Sequence, residues 1–333
     1  MQPLRTAILG CGIFANKHAA NLSSMPEQFE LIAFCDRHPE RSEAYALKYN
    51  LERSRAYTDH HKMFEEQKPD LLIISLPPYG HTDEVDVAAT AGTHVLIEKP
   101  IALNSEKAWS MVEVCEKAGI KTQVGFMFRF GAAIEYLKGM LETGTAGTVG
   151  LMSARYFCNS LHANWWRTKE KSGGQLVEQV IHMIDLMRYL MGQPTNIYSM
   201  QNNLFHQDVQ DYTAEDVSGT VVGFANGGIG VIYATNGAIP GKWINDYRLV
   251  AKNLTAEFTD ANHATFTWTD RPFLQMHTVA SEQDYYKLEL LDLYRAIATD
   301  GQTRTPVREG ALSLDLALAA ARSAECGLPV KLP

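Results

Sequence analysis

Five short apolar segments in the first 125 residues constrain the fold of this chain more than any other feature. In the segment DLLIIS, at residues 70–75, apolar residues follow one another without alternation. Strands covered by helices on both faces have this pattern, whereas strands with one solvated face alternate. We therefore predict buried strands at 6–9, 31–35, 71–75, 94–97 and 122–125.

Helix-length stretches separate these strands, near residues 13–24, 39–50, 59–67, 80–91 and 104–118. Strands that alternate with helices along the chain form parallel, doubly wound sheets. The sequence thus predicts an N-terminal Rossmann domain over residues 1–125, of the kind that binds NAD(P).

The pattern changes after Gly125. Helices are expected near 131–142, 174–191, 281–299 and 308–326, and strand-like segments lie between the second and third of these. The turn pairs Asn226-Gly227 and Asn236-Gly237 favour antiparallel hairpins. We predict that residues 126–333 form an α+β domain on a large, mostly antiparallel, open-faced sheet.

Composition limits the partners. The 333 residues carry a formal net charge of -8, and nucleic acids and anionic membranes require a basic face. No segment approaches the roughly 18 apolar residues of a membrane span, and the N-terminus has too short an apolar run for a signal peptide. The five cysteines include no C-x-x-C pair. We expect a cytoplasmic protein whose partner is a small molecule.

The first strand runs directly into a dinucleotide fingerprint, Gly10-Cys11-Gly12-Ile13-Phe14-Ala15. Gly10 and Gly12 allow a tight turn and close approach of a pyrophosphate, which the amides of the following helix can bind. Asp36 ends the second strand, where an acid accepts hydrogen bonds from the ribose and repels a 2'-phosphate. NAD is therefore favoured, although Arg37 offsets part of the repulsion and keeps NADP as an alternative. Asp36 could instead simply cap the helix that follows.

The strand at 94–97 ends in Glu98 and Lys99, and Pro100 stops it from continuing. Ligands of parallel sheets bind beyond the carboxyl ends of the strands. We expect the Glu98–Lys99 pair to reach the cofactor cleft, and the alternative is a solvent-facing loop.

A second polar group lies in GGQLVEQVIHMIDLMRYL, at residues 173–190. On a regular helix Glu178, His182 and Asp185 share one stripe, and most other positions are apolar. Because an unpaired buried polar atom costs roughly 1–3 kcal/mol, the stripe must face a polar partner or a cleft.

Several segments resemble the Gfo/Idh/MocA oxidoreductases, which include glucose-fructose oxidoreductase and inositol dehydrogenases. They are AILGCGIFANKH, FCDRHPERSEAYALKY, SLPPYGHTDEVDVAATAGTHVLIEKP and GGQLVEQVIHMIDLMRYLMG. The resemblance implies that Lys99, of the E-K-P motif, lies beside the nicotinamide and substrate, and that Glu178 and His182 complete the catalytic group. At position 178 this chain has a glutamate, whereas an aspartate is commoner in the family.

The resemblance also implies cofactor contacts from His81, after Pro77-Pro78, and from the pair Trp166-Arg167. No metal is predicted. The residues expected to contact the dinucleotide are Gly10, Gly12, Ile13, Phe14, Asp36, Arg37, Ser75, Leu76, Pro77, His81, Glu98, Lys99, Trp166 and Arg167.

We expect hydride transfer between NAD and a hydroxyl-bearing carbon of a sugar, polyol or cyclitol, with His182 or Lys99 as the proton acceptor. Three alternatives stay open: a redox glycosidase that never releases its NAD, a dinucleotide-binding sensor without chemistry, and a metal enzyme using Glu178, His182 and Asp185. The resemblance further implies that the second domain binds substrate and that its sheet forms a homodimer or homotetramer.

Overall fold

The structure, a computed structural model, describes residues 2–332. The chain divides into two compact units. The first runs to Gly125 and includes Tyr286–Ala311, and the second consists of Phe126–Tyr285 with the chain from Leu312 onward.

The first unit is a doubly wound α/β sheet, as predicted. Its strands are β1 (Leu4–Leu9), β2 (Phe29–Cys35), β3 (Ala56–Tyr57), β4 (Leu71–Ile74), β5 (His94–Ile97) and β6 (Thr122–Val124). Its helices up to Gly125 are α1 (Ile13–Ser23), α2 (Pro39–Lys48), α3 (His60–Gln67), α4 (Glu84–Ala91) and α5 (Ser105–Ala118), with short 3-10 turns at Arg53–Arg55 and Pro78–Gly80.

All strand pairs of this sheet are parallel, in the order β3-β2-β1-β4-β5-β6. The four residues of β4 are fully buried, as strands covered on both faces should be. The strand order reverses between β1 and β4, and this topological switch point is where doubly wound sheets bind their ligands.

The second unit carries a nine-stranded, mostly antiparallel sheet. Its helices up to Met191 are α6 (Ala132–Glu142), α7 (Asn164–Arg167), α8 (Lys169–Ser172) and α9 (Ile181–Met191), with a 3-10 turn at Met127–Phe130 and a π-helical turn at Leu176–Val180. Its strands are β7 (Val149–Phe157), β8 (Pro194–Asn202), β9 (Val217–Phe224), β10 (Ile229–Thr235), β11 (Tyr247–Ala251), β12 (Leu254–Phe258), β13 (Ala264–Trp268) and β14 (Gln275–Val279). The chain ends with α10 (Tyr285–Thr299), α11 (Val307–Cys326) and β15 (Val330–Lys331).

One face of this sheet is buried and the other is open. Side chains along β7 to β10 alternate between the two faces, as expected for a sheet with one solvated side. The strand order is β14-β13-β12-β11-β7-β10-β9-β8-β15, and only β7 and β10 pair in parallel. Apolar side chains on the open face include Leu151, Tyr198, Met200, Val221 and Tyr233.

Two details differ from the sequence-based expectation. The predicted second domain includes residues 286–311, but this segment belongs to the first unit because Leu290 and Leu293 join a buried core with Leu4 and Ile8. The pair Asn236-Gly237 does not form a hairpin, because β10 pairs only with β7 and β9. The pair at 226–227 does turn the chain between β9 and β10, with Gly227 at a φ of 82°.

Candidate active site

The turn after β1 brings two main-chain segments into close contact. Gly10 has a φ of 90°, and a Cβ placed there would lie 2.4 Å from the carbonyl oxygen of Ser75. Only glycine satisfies both conditions, since other residues rarely adopt this φ. The Gly10 amide donates a hydrogen bond to the carbonyl of Cys35 at 2.8 Å, so the turn ties β1 to both neighbouring strands.

Gly12 leaves space at the start of α1. A Cβ at this position would meet no atom within 4 Å, and no side chain caps the helix N-terminus. The helix amides, with their positive dipole end, are therefore available to an anion. Ile13 is 92% exposed and Phe14 is 44% exposed. An open turn flanked by exposed apolar groups fits a dinucleotide pyrophosphate.

Asp36 is buried at the end of β2 with both carboxylate oxygens engaged. One accepts the amide of Cys11 at 2.8 Å and the other accepts the amide of His38 at 2.9 Å. The bond to His38 fixes the chain just before α2, in line with the capping alternative. Each oxygen keeps lone-pair capacity for a ribose hydroxyl. The neighbouring Arg37 is exposed and donates to Tyr79 Oη at 3.4 Å.

The loop after β4 contains Ser75, Leu76 and Pro77, all partly exposed. Farther along, His81 Nδ1 lies 2.5 Å from Glu84 Oε1, and the other oxygen of Glu84 accepts the Thr82 amide at 2.8 Å. Burial by itself raises the pKa of Glu84, but the hydrogen bond and charge of His81 and the Thr82 amide outweigh it and lower the pKa to about 2. His81 therefore fixes the start of α4, and its contact with a cofactor stays a prediction.

Glu98 and Lys99 emerge from β5 in different environments. Glu98 is 9% exposed, and its Oε1 lies 2.7 Å from Nε2 of the fully buried His18. A Cβ at Gly125 would lie 2.6 Å from the other oxygen of Glu98. Lys99 is partly exposed at the carboxyl end of the strand. Glu98 thus anchors the strand end, and the amine of Lys99 follows directly after this anchor.

The sequence does not predict the role of His18 as the buried partner of Glu98. His18 lies on the buried stripe of α1 with Ala15, Ala19 and Leu22, so the pattern alone marks it as an ordinary core residue. A histidine in an otherwise apolar stripe indicates that a polar partner is buried beside it. That signal could have pointed to Glu98.

In the second unit, Glu178 lies on the π-helical turn before α9. Trp166 is 2% exposed, and its Nε1 donates to Glu178 Oε2 at 2.7 Å. π-Helical turns occur often at functional sites. The bond to Trp166 fixes the carboxylate, and it gives the tryptophan a definite role in orienting the predicted acid.

His182 is the second residue of α9, where it is buried and packs against two aromatic rings. The centroid of its imidazole lies 5.3 Å from that of Phe128 and 6.3 Å from that of Phe126. Glu178 lies within the π-helical turn at 176–180, whereas His182 follows that turn. The regular helical stripe predicted from the sequence therefore does not extend through both residues.

Asp185 has a structural partner. Arg129 Nε donates to Asp185 at 2.8 Å and Nη2 donates to the other oxygen at 2.6 Å, which is the strong bidentate geometry. Ser313 Oγ donates to the same carboxylate at 3.0 Å. Both oxygens of Asp185 are thus committed to a buried ion pair, which disfavours the metal-ligand alternative for this residue.

Arg167 donates to main-chain carbonyls nearby. Its Nε bonds the oxygen of Leu161 at 2.9 Å and its Nη2 bonds that of His162 at 3.3 Å. These bonds hold the segment that contains α7. The contacts of Trp166 and Arg167 with a nicotinamide stay predictions.

Comparison with known proteins identifies the family. A model described as "Oxidoreductase family, NAD-binding Rossmann fold" matches residues 4–126, and the GFO/IDH/MocA C-terminal domain matches residues 134–257. A D-glucoside 3-dehydrogenase of Escherichia coli is 30% identical over 242 residues, which are 68% of each chain. The chain belongs to the Gfo/Idh/MocA family of NAD-binding oxidoreductases.

Other relatives agree with this assignment. An inositol 2-dehydrogenase of Salmonella typhimurium is 27% identical over 191 residues, 57% of this chain and 55% of that relative. A levoglucosan dehydrogenase solved in complex with NADH and L-sorbose superposes over all of both chains with a TM-score of 0.91 and 20% identity. That likeness shows the fold. The predicted resemblance, the Rossmann fold, the oxidoreductase class and NAD as cofactor are confirmed.

None of the helices in the described part of the chain combines the length and apolar character that crossing a bilayer requires.

We predict that Gly12→Ala folds normally but binds NADH at least about 10-fold more weakly, a loss of roughly 1.4 kcal/mol. The reason is that its methyl group enters the open space that the pyrophosphate requires. NADH fluorescence titration and thermal unfolding measure the two effects. Gly139→Ala, at another position where a Cβ meets nothing within 4 Å, is the control. Unchanged NADH affinity in Gly12→Ala would contradict the assignment.

We also predict a pH-dependent stability contribution from Glu84. Its pKa of about 2 lies below the ordinary 4.5, so the ionised carboxylate stabilises the fold above about pH 4.5 and the effect is lost as the pH falls toward 2. Glu84→Gln should reduce the free energy of unfolding by up to about 3 kcal/mol at pH 7, and by less than half of that near pH 3. Urea unfolding at several pH values tests this, with the exposed Glu113→Gln as control. A difference independent of pH would refute it.

Proposed function

We propose that this chain catalyses the reversible oxidation of a secondary alcohol to a ketone on a sugar, polyol or cyclitol, with NAD as the redox partner. The observation that carries the proposal is the position of Lys99, an amine at the carboxyl end of β5 in a sheet whose glycine turn fits a dinucleotide. Relatives named as glucoside and inositol dehydrogenases support the substrate class.

Residues of the first unit bind and orient the cofactor in this proposal. Gly10 shapes the turn, the amides at the start of α1 from Gly12 onward bind the pyrophosphate, and Asp36 accepts hydrogen bonds from the adenosine ribose. When bound, NAD+ supplies the hydride acceptor. Exposed Ile13 and Phe14 cover apolar surface of the dinucleotide and exclude water from it.

Lys99 and His182 handle the substrate proton. A hydroxyl that loses hydride from its carbon must also lose its proton, so a base must lie within about 2.6–3.2 Å of the oxygen. We propose that the Lys99 amine and the His182 imidazole converge on this hydroxyl, and that either one accepts the proton. Glu178, fixed by Trp166, stabilises the imidazolium form when His182 is the acceptor.

His18 and Glu98 act as positioning residues for Lys99. Their buried hydrogen bond of 2.7 Å fixes the main chain directly before the lysine. A fixed strand end holds the amine in one place, and orientation of a catalytic group is a large part of its effect.

A substrate screen with variants tests the proposal. NAD-linked absorbance is followed over inositols, aldoses, sugar acids and anhydro-sugars, and turnover of at least one of them is expected. Lys99→Ala and His182→Ala should each lower kcat by about 100-fold or more, the usual scale of acid-base catalysis, while NADH binding persists. Exposed Lys117→Ala and His277→Ala are the controls.

The outcomes separate the alternatives. Full activity in both Lys99→Ala and His182→Ala would refute the catalytic assignment. Sugar release without net NADH would indicate a redox glycosidase. NADH binding with no turnover over the whole panel would indicate a sensor.

We propose further that the protein is a cytoplasmic homodimer or homotetramer assembled through the open face of the nine-stranded sheet. An apolar row crosses three strands, where Leu151 is paired with Val250 on β11 and with Ile229 on β10. On the next strand pair Val221 lies opposite Tyr198. Contiguous exposed apolar surface of this kind is typical of a protein interface. Five free cysteines suit a reducing compartment.

Val221→Arg is predicted to shift the assembly toward monomer, because it buries a charge at the centre of this face. Light scattering coupled to size-exclusion chromatography measures the mass. Leu47→Arg, at an 80% exposed position on α2, should keep the wild-type mass. A monomeric wild type, or an unchanged mass in Val221→Arg, would contradict the proposed interface.

A further inference from the structure

Four metal-ligating side chains cluster where α3 and α4 begin, outside the residues assigned to cofactor and substrate. His60 and His61 are the first residues of α3, Asp59 is its N-cap, and Asp83 precedes α4. His60 Nε2 lies 3.0 Å from one carboxylate oxygen of Asp83, and His61 Nε2 lies 3.2 Å from the other. Ligand atoms of Asp59, His60 and His61 all lie within 4.8 Å of one another.

The spacing of the two imidazoles and Asp83 suits a tetrahedral metal, with Asp59 or a water molecule as the fourth ligand. Zinc binds imidazole nitrogen and carboxylate oxygen at about 2.0–2.2 Å in a tetrahedron, which places neighbouring ligand atoms about 3.3 Å apart. The two nitrogen-to-oxygen distances at Asp83 are near this value, so a cation could replace the two hydrogen bonds with little movement of the chain. Asp59 is already oriented, because its Oδ1 accepts the His61 amide at 2.9 Å.

We propose that His60, His61 and Asp83, with Asp59 or a water molecule as the fourth ligand, form a binding site for a divalent transition metal, with Zn2+ as the best-fitting ion. Two imidazoles with a carboxylate favour zinc and its neighbours over Mg2+ or Ca2+, which require six or more oxygen ligands. The carboxylate groups of the cluster oppose the charge of the ion. The site is separate from Lys99, Glu178 and His182, for whose chemistry no metal is predicted.

The groups around the site have opposing electrostatic effects on metal binding. Both helices begin at the site, and the positive end of a helix dipole disfavours a cation. The carboxylates of Asp59 and Asp83 oppose this effect at shorter range. The side chain of His61 is 56% exposed, which gives the ion a path from solvent.

A bound ion would connect two segments of the first unit. Asp59 to His61 follow β3, whereas Asp83 ends the loop that begins at Ser75 after β4. The ion would hold this loop to the start of α3, and binding to the folded state alone raises its stability.

The test measures metal binding directly and does not depend on enzymatic activity. Tag-free protein competes with a chromophoric chelator for Zn2+, and Co2+ is added separately to read coordination by its visible absorption. We expect one equivalent per chain and intense four-coordinate Co2+ bands. The double variant His60→Ala/His61→Ala and the variant Asp83→Asn should each bind Zn2+ at least 10-fold more weakly and lose these bands.

His263→Ala is the matched control. Its imidazole also pairs with a carboxylate, Asp260 at 2.9 Å, but no second histidine shares that pair in the described contacts. It should bind Zn2+ as the wild type does. Thermal unfolding without metal checks that each variant folds, and His61→Ala alone replaces the double variant if that one does not. Absence of Zn2+ binding by the wild type, or equal binding by wild type and the site variants, would overturn the proposal.

Discussion

The first unit depends on the close approach of two main-chain segments at the switch point of its sheet. Gly10 lies against the Ser75 carbonyl, at a distance that leaves no room for a Cβ. This contact lets β1 turn directly into α1, so the helix N-terminus faces the gap between β1 and β4. The gap and the helix dipole together create an anion site from main-chain atoms alone. In the proposed function, side chains such as Asp36 add selectivity to a site whose position is determined by the backbone.

Buried charged groups fix the segments around this site. Glu98 is held by His18 at the end of β5, and Glu84 is held by His81 at the start of α4. A buried charge without a partner costs several kcal/mol, and a paired one adds little net stability. Little stability is gained relative to an apolar replacement of the whole pair, although removal of one partner is costly, so the main value of such pairs lies in specificity of position. They restrict the main chain at the two places where residues predicted to meet the dinucleotide leave the sheet.

The sequence predicts the fold well where local pattern and burial agree, and less well where long-range packing decides. The strands at 71–74 and 94–97 are clear because both faces are apolar, whereas β3 has two residues and too little pattern to detect. The assignment of Leu290 and Leu293 to the first core depends on contacts with distant residues that periodicity does not encode. At the site, the glycine spacing predicts the tight turn that the structure has at Gly10, whereas the catalytic role of Lys99 in the E-K-P motif stays a prediction. The π-helical turn that contains Glu178 is not predicted from the sequence, because one inserted residue leaves the apolar pattern nearly unchanged.

The loop from Ser75 to Asp83 links these features. Its first residues line the Gly10 turn, its middle contains His81, and its last residue faces two imidazoles of α3. A segment held at one end by the sheet and at the other by ion pairs has few conformations left to lose when a dinucleotide binds. The chain then loses less conformational entropy when the dinucleotide binds, which raises affinity without any new contact. The same rigidity brings donor atoms from two segments to one point, so one loop can serve both an organic cofactor and a metal ion.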